Sequence, residues 1–73
     1  MKRLEDYTVV VAPNDSATWW AYVPAIDGCQ ALGESPEEAQ TELAHVFSMI
    51  AEIYDQDGRI LPEDIKELVP FAS

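Results

Sequence analysis

Lysine and arginine are scarce in this sequence. Its 73 residues hold 4 of them against 14 Asp and Glu, and none falls between residues 4 and 58. A chain of formal net charge −10 repels phosphate. Duplex nucleic acid is therefore not an expected partner, whereas a basic protein is. The lone cysteine excludes an intrachain disulfide and fits a reducing cytoplasm. One histidine and one cysteine cannot make a zinc site within a single chain. No apolar run approaches the roughly 20 residues that cross a bilayer. Lys2-Arg3 leads into Glu5 and Asp6, where a signal peptide would turn apolar. Internal repeats and low-complexity segments are absent.

What is present is a single domain's worth of chain with 48% hydrophobic residues. A core of this size supplies only a few kcal/mol, so self-association as a dimer or tetramer is an expected source of further stability. Residues 7–12, Tyr-Thr-Val-Val-Val-Ala, are β-branched, aromatic and uncharged, and predict a first strand. Residues 13–16 read as a loop. Residues 18–23 predict a second strand, closed by Pro24, which offers no ladder donor. Asp27-Gly28 is a turn dipeptide, and residues 29–33 make a short third strand, giving an antiparallel meander.

The hydrophobic period then changes. Ser35 fits a helix N-cap, Pro36 the first helical position, and Glu38 the third residue of a capping box. Ala39, Leu43, Val46, Ile50 and Ile53 advance by four, three, four and three, laying an apolar stripe along a helix over residues 36–54. Phe47 and Ala51 widen it. Gly58 suits the position just past the helix end. The fold class expected is α+β, β-β-β-α, with residues 66–71 as either a short helix or a fourth strand.

The run Val23-Pro24, Gly28-Cys29, Gly33-Glu34-Ser35 and Glu37-Glu38-Ala39 resembles the signature of the HicB family, the antitoxin half of a bacterial toxin–antitoxin pair. Glu34 and Ser35 replace the commoner Asp-Thr of that pattern, and Ser caps a helix as well as Thr does. The resemblance extends upstream to Tyr7 and downstream through the long helix. It implies a partial ribonuclease H-like fold whose tail pairs with the sheet. It also implies a partner, a small basic HicA-type toxin that cleaves messenger RNA and whose site a HicB protein occludes. Longer HicB proteins carry a C-terminal DNA-binding domain, for which the residues up to Ser73 leave no room, so no direct DNA binding is expected.

No catalytic, cofactor or metal site is expected. Two-metal nuclease chemistry needs carboxylates converging from strands, and residues 7–12 and 18–23 contain none. Cys29 and His45 have no visible catalytic partner; Cys29 reads as a small buried hydrophobe and His45 as a helix-flank residue. Asp55-Gln56-Asp57-Gly58 matches part of a calcium loop, but its first ligand would be Ile53 and its last Asp64, so helix termination is the better reading. Trp19-Trp20 is more informative. Neighbours on a strand face opposite sides, so Trp19 shares a face with Ala21 and Val23, and Trp20 with Tyr22. One row joins the core and the other lies on an open sheet face, suited to a partner or to burial in a homo-oligomer. Trp20 and Tyr22 are the expected anchors, with Trp19 taking that role if the faces are swapped. Glu34, Glu37, Glu38 and Glu42, at the helix start, are the expected steering carboxylates.

Overall fold

Three short strands and one helix make up the computed structural model, which describes residues 2–64. The strands are β1 (Val10–Pro13), β2 (Trp19–Tyr22) and β3 (Gln30–Gly33), and the helix is α1 (Pro36–Gln56). The sheet is antiparallel in the order β1-β2-β3. One of its faces is covered by α1, mostly over β3 and β2. The α+β meander with one long helix is thus the observed fold. The tail at residues 66–71, expected as helix or strand, lies outside the described residues.

The first strand begins later than its composition predicts. Tyr7 leaves a short 3-10 turn (Leu4–Asp6) in extended backbone, and its side chain is buried. Its ring sits 5.8 Å from that of Phe47 at 59°, and its hydroxyl donates to the Pro62 carbonyl. These tertiary anchors hold Tyr7 under the helix. Residues 61–64 close over it, with Leu61 in the core and the Asp64 carboxylate accepting from Thr8 N–H and Oγ1, both at 2.9 Å.

Pro13, expected in the loop, instead ends β1 opposite Trp19. Asn14 N–H donates to the Thr18 carbonyl (2.9 Å), which makes 14/18, 12/20 and 10/22 the hydrogen-bonded pairs of that ladder. Val11 and Pro13 therefore turn their backbone groups away from β2. Proline has no N–H to present there, and an outer edge is where a sheet tolerates it. The hairpin loop is held by Asp15, whose Oδ1 accepts from Ala17 N–H, Thr18 N–H and Thr18 Oγ1, each at 2.8 Å.

Two turns link β2 to β3. Ile26 N–H donates to the Val23 carbonyl (3.1 Å) and Cys29 N–H to the Ile26 carbonyl (3.2 Å). Asp27-Gly28 occupies the centre of the second turn, and Gly28 takes φ +79°, a conformation open to glycine. β3 then runs directly onto α1. A Cβ at Gly33 would collide with the backbone of Glu38 and Ala39, so the close approach of strand and helix requires glycine there.

Ser35 Oγ accepts from Glu38 N–H at 3.0 Å, the N-cap bond that the sequence predicts. The reciprocal half differs: the Glu38 carboxylate accepts from Glu34 N–H (2.6 Å), one residue before the cap. At the other end Gly58 takes φ +71°, with Gly58 N–H bonded to the Asp55 carbonyl and Arg59 N–H to the Tyr54 carbonyl. That double closure is a Schellman motif, so Asp55 to Gly58 terminate the helix. The buried stripe of α1 is Ala39, Leu43 and Phe47, with Val46, Ile50, Ala51 and Tyr54 half-buried beside it. Ile53, expected in the stripe, is exposed; Tyr54 takes its place, with the Arg59 guanidinium 4.3 Å over its ring.

Candidate protein-binding face

Sheet pleating decides which indole meets the helix. Ala21 and Val23 are buried in the core and Trp19 packs against it, so that row lies on the helix side. The faces are therefore not swapped, and Trp19 is a core-facing residue. Trp20 and Tyr22 lie on the open face, flanked through the strand register by Ala12 and Val10 of β1 and by Leu32 and Gln30 of β3.

On that face the rings of Trp20 and Tyr22 stack, with centroids 4.3 Å apart and planes at 28°. Trp20 Nε1 donates to Gln30 Oε1 at 3.1 Å, which fixes the indole against β3. Asn14, Trp20, Gln30 and Leu32 line a shallow depression beside this pair. Leu32 is 54% exposed. The face thus combines a stacked aromatic pair, an aliphatic neighbour and two amide side chains.

The expected steering carboxylates are exposed, but the three on the helix do not share this face. Glu37, Glu38 and Glu42 belong to α1, on the other side of the sheet, while Glu34 stands at the end of β3. Glu38 is already tied to the Glu34 N–H, and Glu42 Oε1 lies 3.8 Å from His45 Nδ1. Asp15 and Asp27 stand in the two loops at opposite ends of the sheet. The sequence signal for them was present as loop composition and was absorbed there by turn chemistry. Gln30 and Leu32 were missed for a different reason: the strand that carries them is too short to show an alternation.

Positive charge is neutralised locally among the described residues. Lys2 pairs with Glu63 (3.3 Å), Arg3 with Glu5 (3.1 Å) and Arg59 with Asp57 (3.4 Å). Three bonds from Ala17 and Thr18 hold the Asp15 carboxyl below its ordinary value, so it stays charged at the rim in mild acid. Burial pushes the Cys29 thiol up, which makes it a core residue and a poor nucleophile. Among the described residues, no three His, Cys, Asp or Glu side chains are placed to hold a metal ion. None of their helices is long and apolar enough to cross a membrane.

What the fold and face define together, among the described residues, is a small acidic α+β protein with an aromatic sheet surface opposite its helix. No family model, curated protein or solved structure matches the chain.

Proposed function

We propose that this chain is an antitoxin-like inhibitor that captures a small basic HicA-type ribonuclease on its open sheet face. The observation that carries the reading is the stacked Trp20–Tyr22 pair on the sheet face opposite α1, in a chain with no Lys or Arg from residue 4 to residue 58. Aromatic anchors already stacked on each other before contact have less freedom to lose on binding, and Trp and Tyr dominate binding energy where they are desolvated. The carboxylates, including Glu34, Glu37, Glu38 and Glu42, act earlier. They raise the encounter rate with a cationic partner without needing to touch it, so Glu37, Glu38 and Glu42 can steer from the helix side of the sheet.

The direct test co-expresses the chain with a small basic protein encoded beside it and follows growth, binding and RNA cleavage. The expected result is a toxic partner whose RNA cleavage stops when this chain is added, with association slowed by salt. A neighbour that is harmless alone, or that stays unbound and active, sinks the proposal. The second reading is a homo-oligomeric, HicB-like interaction module with no toxin. The observation that favours it is the uncharged outer edge of β3.

A further inference from the structure

We propose that the depression beside Trp20 receives one arginine side chain of a basic partner, with its guanidinium lying flat on the indole. The inference rests on the open face being the one that meets a basic protein, and it names the group received there.

The ring is the platform. Tyr22 stacks on one face of Trp20, with centroids 4.3 Å apart. Tyr22 takes no part in lining the depression, which Trp20 forms with Asn14, Gln30 and Leu32. The depression therefore lies on the side of the indole that Tyr22 leaves free. The bond from Trp20 Nε1 to Gln30 Oε1 (3.1 Å) holds the indole in that position. A guanidinium stacks on such a ring while its donors stay available in its own plane. The chain makes this kind of contact once already, where the Arg59 guanidinium lies 4.3 Å over Tyr54.

Asn14 supplies an acceptor. Thr18 Oγ1 gives its one proton to Asp15 Oδ1 at 2.8 Å, so toward Asn14 it can only accept. The nitrogen of the Asn14 amide, 3.0 Å away, therefore faces Thr18, and Oδ1 is turned from it. Among the described residues, Asn14 Oδ1 accepts no hydrogen bond. The depression thus sets an unengaged carbonyl oxygen beside an aromatic face. A guanidinium, which donates and never accepts, matches that oxygen. A carboxylate or a phosphate does not.

Charge points the same way. Pro13, Trp19 and Gly33 are partners in one row across the sheet. Asn14, Asp15, Thr18 and Glu34 all follow or precede that row directly, at the same end of the sheet. The Asp15 and Glu34 carboxylates therefore stand at the end that holds Asn14, and no Lys or Arg between residues 4 and 58 offsets them. An anionic group is repelled there and a cationic one is drawn in. Lysine meets the same charge, but its compact, strongly hydrated ammonium cannot lie along an indole as a guanidinium does.

Nuclear magnetic resonance of the isotope-labelled chain tests the proposal with three capped Gly-X-Gly peptides, where X is arginine, lysine or citrulline. Citrulline keeps the planar shape and loses the charge. At equal concentration, the arginine peptide should move the Trp20 Nε1–H resonance about threefold further than the citrulline peptide, the size of an exposed cation–π contact. The lysine response should fall between them, and the Trp19 indole should stay still. Asn14→Ala removes the acceptor and keeps both rings, so the arginine response should drop about twofold or more. Equal responses to arginine and citrulline, or to arginine and lysine, overturn the inference on the wild-type chain alone. So does a Trp19 indole that moves as far as Trp20, or a folded Asn14→Ala chain that responds as the wild type does. The titration needs no ribonuclease. Capture of a toxic neighbour together with equal arginine and citrulline responses would sink this inference alone. A selective arginine response beside a harmless neighbour would sink the toxin reading alone.

Discussion

Trp20 and Tyr22, two positions apart on β2, stack their rings at 4.3 Å on the side of the sheet that the helix leaves uncovered. Trp19, their neighbour, packs toward the core instead. Truncating the two tryptophans should therefore have separable effects. Trp20→Ala should weaken capture of a basic partner by about 2 kcal/mol, mainly through faster dissociation, and leave urea unfolding nearly unchanged. Trp19→Ala should lower stability by about 2–3 kcal/mol by opening a cavity under α1. Surface plasmon resonance and urea titration of both variants distinguish these roles.

The start of α1 rests on a side-chain bond that can be removed alone. Ser35→Ala deletes the acceptor of the Glu38 N–H and should lower stability by about 1 kcal/mol. Ser35→Gly should lower it by only a few tenths. An alanine variant as stable as the wild type in urea would mean that water replaces the cap without loss.

Gly33 sets how closely β3 and the helix approach. Adding one methyl group in Gly33→Ala forces backbone apart from backbone, and overpacking of this kind costs about 1–3 kcal/mol. Thermal unfolding checks the size of the effect. A variant melting at the wild-type temperature would show that the strand–helix junction can yield.

Tyr7 gives the fold an alkaline limit. Burial first, then the carboxylates of Glu63, Asp6 and Asp64, hold its phenol above the ordinary value of 10.0. The unfolded chain therefore ionises first. The contribution of this group is complete below about pH 10 and is lost as pH rises through the folded value. Unfolding followed against pH should show stability falling above that point, and Tyr7→Phe should flatten the fall. The same variant gives up the bond to Pro62, at about 1 kcal/mol near neutrality. A Tyr7→Phe profile parallel to the wild type would assign the alkaline loss elsewhere.

The elements themselves were legible because their signals are local. Ser35, Pro36 and Glu38 mark the helix start, Gly58 its end, and Asp27-Gly28 the turn; each acts through its own backbone. Long-range contacts were not legible. Tyr7 reads as a strand residue until Phe47 and Pro62 are seen to hold it elsewhere. Ile53 fits an apolar stripe by spacing, yet Tyr54 sits closer to the stripe's centre and finds Arg59 for its outer ring face. For the candidate site, alternation paired Trp20 with Tyr22 but left their exposure open. Only the position of α1 resolved it. Glu37, Glu38 and Glu42 follow the strands in sequence by a few residues but stand across the sheet from the aromatic pair, because the chain turns through Gly33 between them.

Pro13 has a consequence for growth. A flat strand assembly is a step polymer whose monomers need two reactive ends. Pro13 leaves one position of the β1 rim without a donor, which weakens that edge as a coupling end. A unit with one weakened end is a poor chain extender, so growth by strand addition is disfavoured.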